Sequence, residues 1–552
     1  MGNVDEILVS DGYEKLEVPQ ESVDGSSSPK PKAVTLAPWR FWLFGIPLYI
    51  SIFLSMMDAS IVASTLHTIS IEFKVFLSVN WVALAYTLAE CSCAVVFARV
   101  SDVIGRRTAF AIANVLFFAA SIACGFARSL NELIAFRAVQ GLGGAGLYSL
   151  SMVIFPEVCP DHLLVPMAAL CGLSIVVAAI VGPILGGVLT QYATWRWVFW
   201  MNAPICVFSM VLFIAFWPKA DFIISVPRRS WKMFDYGGAI LQISGAVLVV
   251  FAFQNVGVSA ADVFGRAIFI APLAIGVACW IALFVWEYMV ERKEGLKDMP
   301  TFPLALFRNR HYASSVLITL LMGFPLILLI FSVPLRAQLV SGKTPLDASA
   351  VLLPFLGAAG GGTVLAAVFS CKKNFLFETM VAGAVLSTVG CGLLTTISSA
   401  ELDKRLLGYL VLPGLGIGIA TSAATILTGV EIAPRNYAPA QGIMAQVRLL
   451  GGSLGISTST VFLHNEITKL FPGKLSPQFL SMLDDVEANL SVQMRKVVAQ
   501  ACSRAFQHCM IVSTAISGVA LVLVFIGYQA VHPDILRQRL NLARSEGQKA
   551  LA

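Results

Sequence analysis

Apolar stretches near the length that crosses hydrocarbon recur along this chain, with short polar breaks between them. In the first half they lie near Phe41–Leu66, Trp81–Val100, Ala109–Ala127, Leu133–Phe155, Met167–Tyr192 and Val198–Trp217. Two more follow near Gly237–Val256 and Ala267–Tyr288. The second half gives Ala313–Leu335, Ala348–Phe369, Thr379–Ile397, Leu406–Thr428, Ala440–Phe462 and Met510–Tyr528. The pattern predicts an all-α polytopic membrane protein with about fourteen transmembrane helices.

Two charged stretches, Lys219 to Asp235 and Glu287 to Arg310, enclose the seventh and eighth spans. The series therefore divides into six spans, an intervening pair and six more, as in transporters built from two repeated halves. The expected organisation is a disordered cytoplasmic tail (1–40), an N-terminal six-helix bundle (41–218), and linkers with two extra helices (219–310). A C-terminal six-helix bundle (311–530) with an extracellular loop (464–508) and a cytoplasmic tail (531–552) complete it. The polar segment before Phe41 has no apolar core of signal-peptide length.

Composition agrees with lipid as the main solvent. The chain is 57% hydrophobic and 13% charged, against about 25% charged in soluble domains. Its net charge of +6 is spread over short loops, with no basic stripe interleaved with aromatics, so nucleic acid is set aside. Cys91 and Cys93 lack a zinc-site spacing, no metal is expected, and Cys502 and Cys509 read as two unpaired thiols, the alternative being a pair on the outer side. An even number of spans puts both termini on one side. Starting inside, more than half of the 38 basic residues fall on inner segments, which favours cytoplasmic termini. The sequon Asn489-Leu490-Ser491 then falls in an outer loop, where glycosylation is chemically open.

Within this apolar background a few residues carry chemistry. Asp58, in the first span, costs several kcal/mol if charged in lipid, so it belongs in a polar cavity, where it can take and release a proton. The alternative is an acid near the helix end that reaches water. Arg137, at the start of the fourth span, cannot discharge and needs a carboxylate, carbonyls or water. It is either a fixed positive charge tuning a proton-carrying acid or an arginine that snorkels to the surface. Glu90, in the second span, has no cation nearby in sequence; it is a second protonation candidate or a neutral, hydrogen-bonded acid. Val181-Gly182-Pro183-Ile184-Leu185-Gly186-Gly187 puts a proline and three glycines inside an apolar helix. That helix is pliable and leaves a face on which another backbone can pack. Arg448 precedes a similar small-residue face, Gly451-Gly452-Ser453-Leu454-Gly455, read first as packing. The loop after the second span carries Asp102, Gly105, Arg106 and Arg107. Its glycine permits a tight turn, and Asp102 can pair with Arg106.

Taken together, these segments resemble the major facilitator superfamily. Asp102-x-x-Gly105-Arg106-Arg107 is similar to its signature loop, with Ala98 and Val100 in place of the usual glycine and leucine. Arg137-x-x-Gln140-Gly141-x-Gly143 resembles the fourth-span motif, and Gly182-Pro183-x-x-Gly186-Gly187 the antiporter motif. Met57-Asp58-x-x-Ile61-Val62 and Trp195-Arg196-Trp197-Val198-Phe199-x-x-Asn202-x-Pro204 resemble the fourteen-span drug:proton antiporters, and Trp81 to Glu90 looks most like fungal members that export toxins. The resemblance implies that Asp58 carries a proton or meets a cationic substrate, and that Arg137 assists proton exchange. It also implies that Asp102 with Arg106 locks the cytoplasmic gate, and that the Gly-Pro motif favours export.

The expected function is proton-coupled export of amphipathic organic compounds by alternating access. The expected partners are a small-molecule organic substrate, protons and the lipid bilayer, with the chain acting as a monomer in the plasma membrane or, alternatively, the vacuolar membrane. No enzyme is expected, since there is no His cluster or nucleophile motif. No cofactor is expected either: Gly342-Lys343-Thr344 lacks the upstream glycine of a phosphate loop, leaving proton-motive force as the energy source. The alternatives are a proton-coupled uptake carrier, such as one for siderophores, and a transporter-like sensor.

Overall fold

The structure, a computed structural model, describes residues 38–528 except 63–64, 74–78, 80, 160–162, 218–229, 256–266, 293–299, 371–373, 398–404, 433–435 and 471–491. Residues 1–37, 529–552 and Asn489 therefore lie outside the described residues, and the tail expected to reach residue 40 gives way to helix already at Pro38. The first six long helices are α1 (Pro38–Ile61), α2 (Trp81–Ile104), α3 (Arg106–Gly125), α4 (Leu130–Val158), α5 (Leu164–Tyr192) and α6 (Asn202–Phe216). Next come α7 (Tyr236–Asn255) and α8 (Ala267–Arg292). The last six are α9 (Arg310–Ser341), α10 (Leu353–Phe369), α11 (Leu376–Leu394), α12 (Arg405–Glu431), α13 (Tyr437–Leu470) and α14 (Val492–Val524). The chain is a multi-pass membrane protein with the expected all-helical fold.

Among the described residues, 13 helices are long and apolar enough to cross a membrane. The exception is α13, where Gln441, Gln446, Arg448 and Glu466 dilute an otherwise apolar run. The α14 helix begins at Val492 rather than near Met510, and α13 runs on to Leu470, so both enter the segment 464–508 that was expected to be loop. Polar residues had hidden this extension. Ala499, Ala501, Cys502, Ala505, Phe506 and Cys509 are buried and continue the inner face of α14 for more than two turns. Cys502 and Cys509 are both free thiols.

Helix ends follow local chemistry. Ser129 caps α4 by accepting from Glu132 N, while the Glu132 carboxylate reaches back to Arg128 N at 2.9 Å. Asn309 caps α9 by accepting from His311 N at 2.9 Å. Pro47 lies inside α1, and its carbonyl accepts from Ser51 Oγ at 2.8 Å and Ser209 Oγ at 3.1 Å, which ties α1 to α6. Such satisfaction of backbone groups is what lipid demands.

In the first half, α1 packs on α5 and α6, while α4 packs on α2 and α3. In the second half, α12 packs on α10 and α11, and α9 on α13 and α14. The halves meet where α5 lies on α10 and α2 on α13. Glycine makes these approaches close: a Cβ on Gly141 would stand 2.3 Å from the Tyr86 carbonyl oxygen, and one on Gly455 2.5 Å from that of Phe324. The Gly451–Gly455 run thus packs α13 onto α9. The α7–α8 pair leans on α2 and α13 through α7, and α8 packs mainly on α7. Its base is fixed by two buried carboxyls: Asp235 accepts from Gly238 N and Trp286 Nε1, each at 2.8 Å, and Glu287 accepts from Phe302 N at 2.6 Å.

Candidate functional site: a buried carboxylate network and a charged loop at opposite ends of the first bundle

Asp58 sits one turn before the end of α1, and Arg137 two turns into the antiparallel α4, so chain direction alone brings them to the same level. Both side chains are completely buried. The Arg137 guanidinium contacts Asp58 Oδ2 directly, and its Nε donates to the Val82 carbonyl at 3.1 Å. It also donates to Gln140 Oε1 at 2.8 Å. Gln140 Nε2 donates to Asp58 Oδ1 at 3.0 Å, and Asn202 Nδ2, at the start of α6, donates to the same oxygen at 2.7 Å. An ionised carboxylate is acceptor-only, and here every neighbour on it is a donor. Arg137 does not snorkel and Asp58 does not reach water. The guanidinium instead lies 4.3 Å from the centre of the Tyr86 ring, a desolvated cation–π contact.

Glu90 stands apart from this ion pair. Its Oε1 accepts from Ser55 Oγ at 2.6 Å, whereas its buried Oε2 has no hydrogen-bond partner. Tyr86 links the two places, its hydroxyl donating to the Ser55 carbonyl at 2.9 Å while its ring carries Arg137.

The Gly-Pro segment of α5 packs against the turn of α1 that holds Asp58. A Cβ on Gly182 would fall 2.1 Å from Ser60 Oγ and 3.1 Å from both Ile61 N and the Met57 carbonyl oxygen. Ser60 Oγ bridges the pair, reaching the Met57 carbonyl at 3.0 Å and the Ala178 carbonyl at 3.3 Å. Pro183 and Gly186 are buried beside it. Gly187 departs from the expectation of a continuous bare face: a Cβ there would meet nothing within 4 Å, so this glycine is not part of the contact.

The signature loop occupies the other end of α2. Gly105, at φ 91°, makes the turn between α2 and α3 in a conformation open to glycine. Asp102 Oδ1 pairs with Arg106 at 2.6 Å and Oδ2 with Arg99 at 3.3 Å. Arg106 is shared with Glu157 near the end of α4 at 2.8 Å, so the cluster ties three helices. Arg107 is exposed and takes no part. Arg99 also donates to the Pro300 carbonyl, connecting this end to the segment before α9.

Beyond the spans, at the Asp58 end, Glu72 accepts from Arg196 at 2.7 Å and from Trp195 Nε1 at 2.5 Å. The Arg196 guanidinium holds the Glu72 carboxyl below its usual 4.5, partial desolvation opposing it. The Trp195–Arg196 pair thereby clips the α5–α6 turn to the short helix Leu66–Phe73.

Sequence reasoning had Gln140 and Asn202 only as motif positions, and had neither Glu157 nor Ser55. The signal available was the i, i+3 spacing of Arg137 and Gln140, which sets both on one helix face. Nothing in sequence spacing joins Asn202 to Asp58.

A family model described as the Major Facilitator Superfamily matches residues 48–456. The chain belongs to the major facilitator superfamily. Similar major facilitator proteins include the MFS-type transporter FPY5 of Fusarium mangiferae, 27% identical over 472 residues covering 84% of this chain and 78% of that one. The efflux pump FUS6 of Gibberella moniliformis is 26% identical, covering 85% and 81%. Multidrug resistance protein 3 of Bacillus subtilis is 28% identical, covering 81% and 83%. Among solved structures, the human organic anion transporter MFSD10 (TETRAN) matches with a TM-score of 0.57 at 12% identity, over 87% of this chain and all of that one. An inward-facing bacterial homologue of Spinster gives a TM-score of 0.55 at 14% identity, over 92% and 99%. At these identities the structures speak for the fold. Membership makes the chain a transporter-family protein rather than an enzyme.

Proposed function

We propose that this chain is a proton-coupled exporter of amphipathic organic compounds (toxins, secondary metabolites or drugs), working by alternating access. The observation that carries the reading is the Asp58–Arg137–Gln140–Asn202 network, a carboxylate buried in a membrane span and pinned by donors from two other helices. Ionised Asp58 holds α1, α4 and α6 together at one end. A proton on Asp58 removes the charge that Arg137 faces and converts one acceptor into a donor, which loosens that end. Gly182 lets α5 sit against the same turn of α1, so the loosening is transmitted to the helix that meets the second half. The Asp102–Arg106–Glu157 cluster is the counterpart at the other end, where Arg99, paired with Asp102, reaches the Pro300 carbonyl ahead of the second half and so locks the gate.

The export direction is supported by the Gly182-Pro183 motif and by relatives bearing the names efflux pump and multidrug resistance protein. In this reading the termini and the Asp102 loop face the cytoplasm, the chain acts as a monomer in the plasma membrane, Asn489 is outside, and no cofactor is used. Cells with and without the chain, grown across a toxin and drug panel with intracellular cargo measured, test it. Lower accumulation that collapses with a protonophore is expected. Cargo accumulation driven by an acid exterior would instead make the chain an uptake carrier.

A further inference from the structure

Arg448 is a half-buried cation outside the coupling network, and it lies at the seam between the two halves. From α13 its NH1 donates to Tyr148 Oη of α4 at 3.1 Å, and its NH2 to Thr425 Oγ1 of α12 at 3.1 Å. Its Nε is buried with no hydrogen-bond partner. Arg99, Arg106, Arg137 and Arg196 each face a carboxylate, but Arg448 makes no ion pair among the described residues. Two neutral hydroxyls leave a charge that cannot discharge without a counter-charge, a costly arrangement in a membrane interior.

The surroundings say what would supply that counter-charge. Thr425, which Arg448 holds, also lines a cavity formed by α4, α5, α12 and α13, whose walls include Met152, Phe155, Met167 and Ile426. Those walls are apolar and adaptable, and both halves contribute to them. Arg448 stands behind this wall, joined to it through Thr425, and its planar guanidinium with a free Nε matches a carboxylate or sulfonate carrying an apolar body.

We infer that Arg448 binds the anionic group of the cargo, so that the transported compounds include amphipathic organic acids. On arrival the acid takes the donors now held by Tyr148 and Thr425. Its apolar body enters the seam between the halves, which widens to receive it, since the chamber in this conformation has room only for water-sized groups. The cargo class rests on the export reading above, but the binding assay is blind to direction and to protons, so the two can fail separately.

The test uses the full-length protein purified in detergent, with naphthalene-1-acetate and its methyl ester as probes in titrations followed by thermal unfolding. The acid is expected to bind and stabilise the wild type, with the ester at least tenfold weaker. Arg448→Gln is expected to lose at least tenfold in acid affinity with ester affinity unchanged. Arg448→Lys, which keeps the charge without the fork, is expected to fall between. Equal binding of acid and ester by the wild type, no binding of the acid, or undiminished acid affinity in either variant would overturn the inference. The wild-type comparison decides it even where Arg448→Gln does not fold.

Discussion

Asp58→Asn is the substitution on which the proposed coupling depends most. Asparagine fits the space but brings an NH2 where the carboxylate had an acceptor, opposite donors from Arg137, Gln140 and Asn202. It also strands Arg137, which has zero exposure and Asp58 as its charged partner. Removing one member of a buried ion pair costs about 3–5 kcal/mol. If this conformation alone bears that cost, its population relative to the alternative falls by roughly two to three and a half orders of magnitude. The assay is transport in proteoliposomes, run in two modes: pH-gradient-driven flux, and cargo counterflow without a gradient. Gradient-driven flux is expected to fall by about a hundredfold or more, with counterflow retained to a larger extent, because exchange needs no proton step. The double variant Asp58→Asn/Arg137→Gln removes both charges and is expected to melt above either single variant while remaining uncoupled. Wild-type pH dependence in Asp58→Asn, or strictly additive destabilisation in the double variant, would refute the reasoning.

Gly182→Val should disturb transport and folding together, because its Cβ would stand 3.1 Å from backbone on α1; a loss of about 1–3 kcal/mol is expected, partly recovered by Ser60→Ala, and thermal melts of the two variants check it. Glu157→Gln should slow transport and lower stability less than Asp102→Asn, since Asp102 serves both Arg99 and Arg106 whereas Glu157 serves Arg106 alone; paired flux and melting measurements give the order. The Glu72–Arg196 clip has a pH signature. Its folded-state pKa lies below 4.5, so its contribution is present above about pH 4.5 and is lost as pH falls through the lower folded value. The melting difference between wild type and Glu72→Gln should therefore shrink from pH 5 to pH 3, and a difference that grows on acidification would contradict the assignment.

The sequence by itself determined the solvent and the plan: a hydropathy rhythm of about fourteen spans, a 6–2–6 grouping set by two charged stretches, and a short set of charged residues inside apolar runs. Burying charge in lipid is so costly that Asp58, Glu90 and Arg137 stand out without coordinates. Boundaries were legible only where polarity changes at the membrane surface. For that reason the early start of α14 was hidden: its inner face is small and apolar but its outer face is polar, and a span scan averages the two.

Only the tertiary structure decided which groups meet. Antiparallel neighbours bring residues 79 and 144 positions apart onto one carboxylate, and no local pattern encodes which face of one span turns toward another. The same holds for Glu157 joining the signature loop and for Gly182 facing Met57, Ser60 and Ile61 of α1 while Gly187 faces open space. Arg448 shows the division most plainly. In sequence it introduces a packing face, and the glycines after it do pack on α9. Its own side chain turns away from α9, to Tyr148 across the seam and to Thr425 of α12, because close backbone contact through the glycines fixes which face of α13 meets α9.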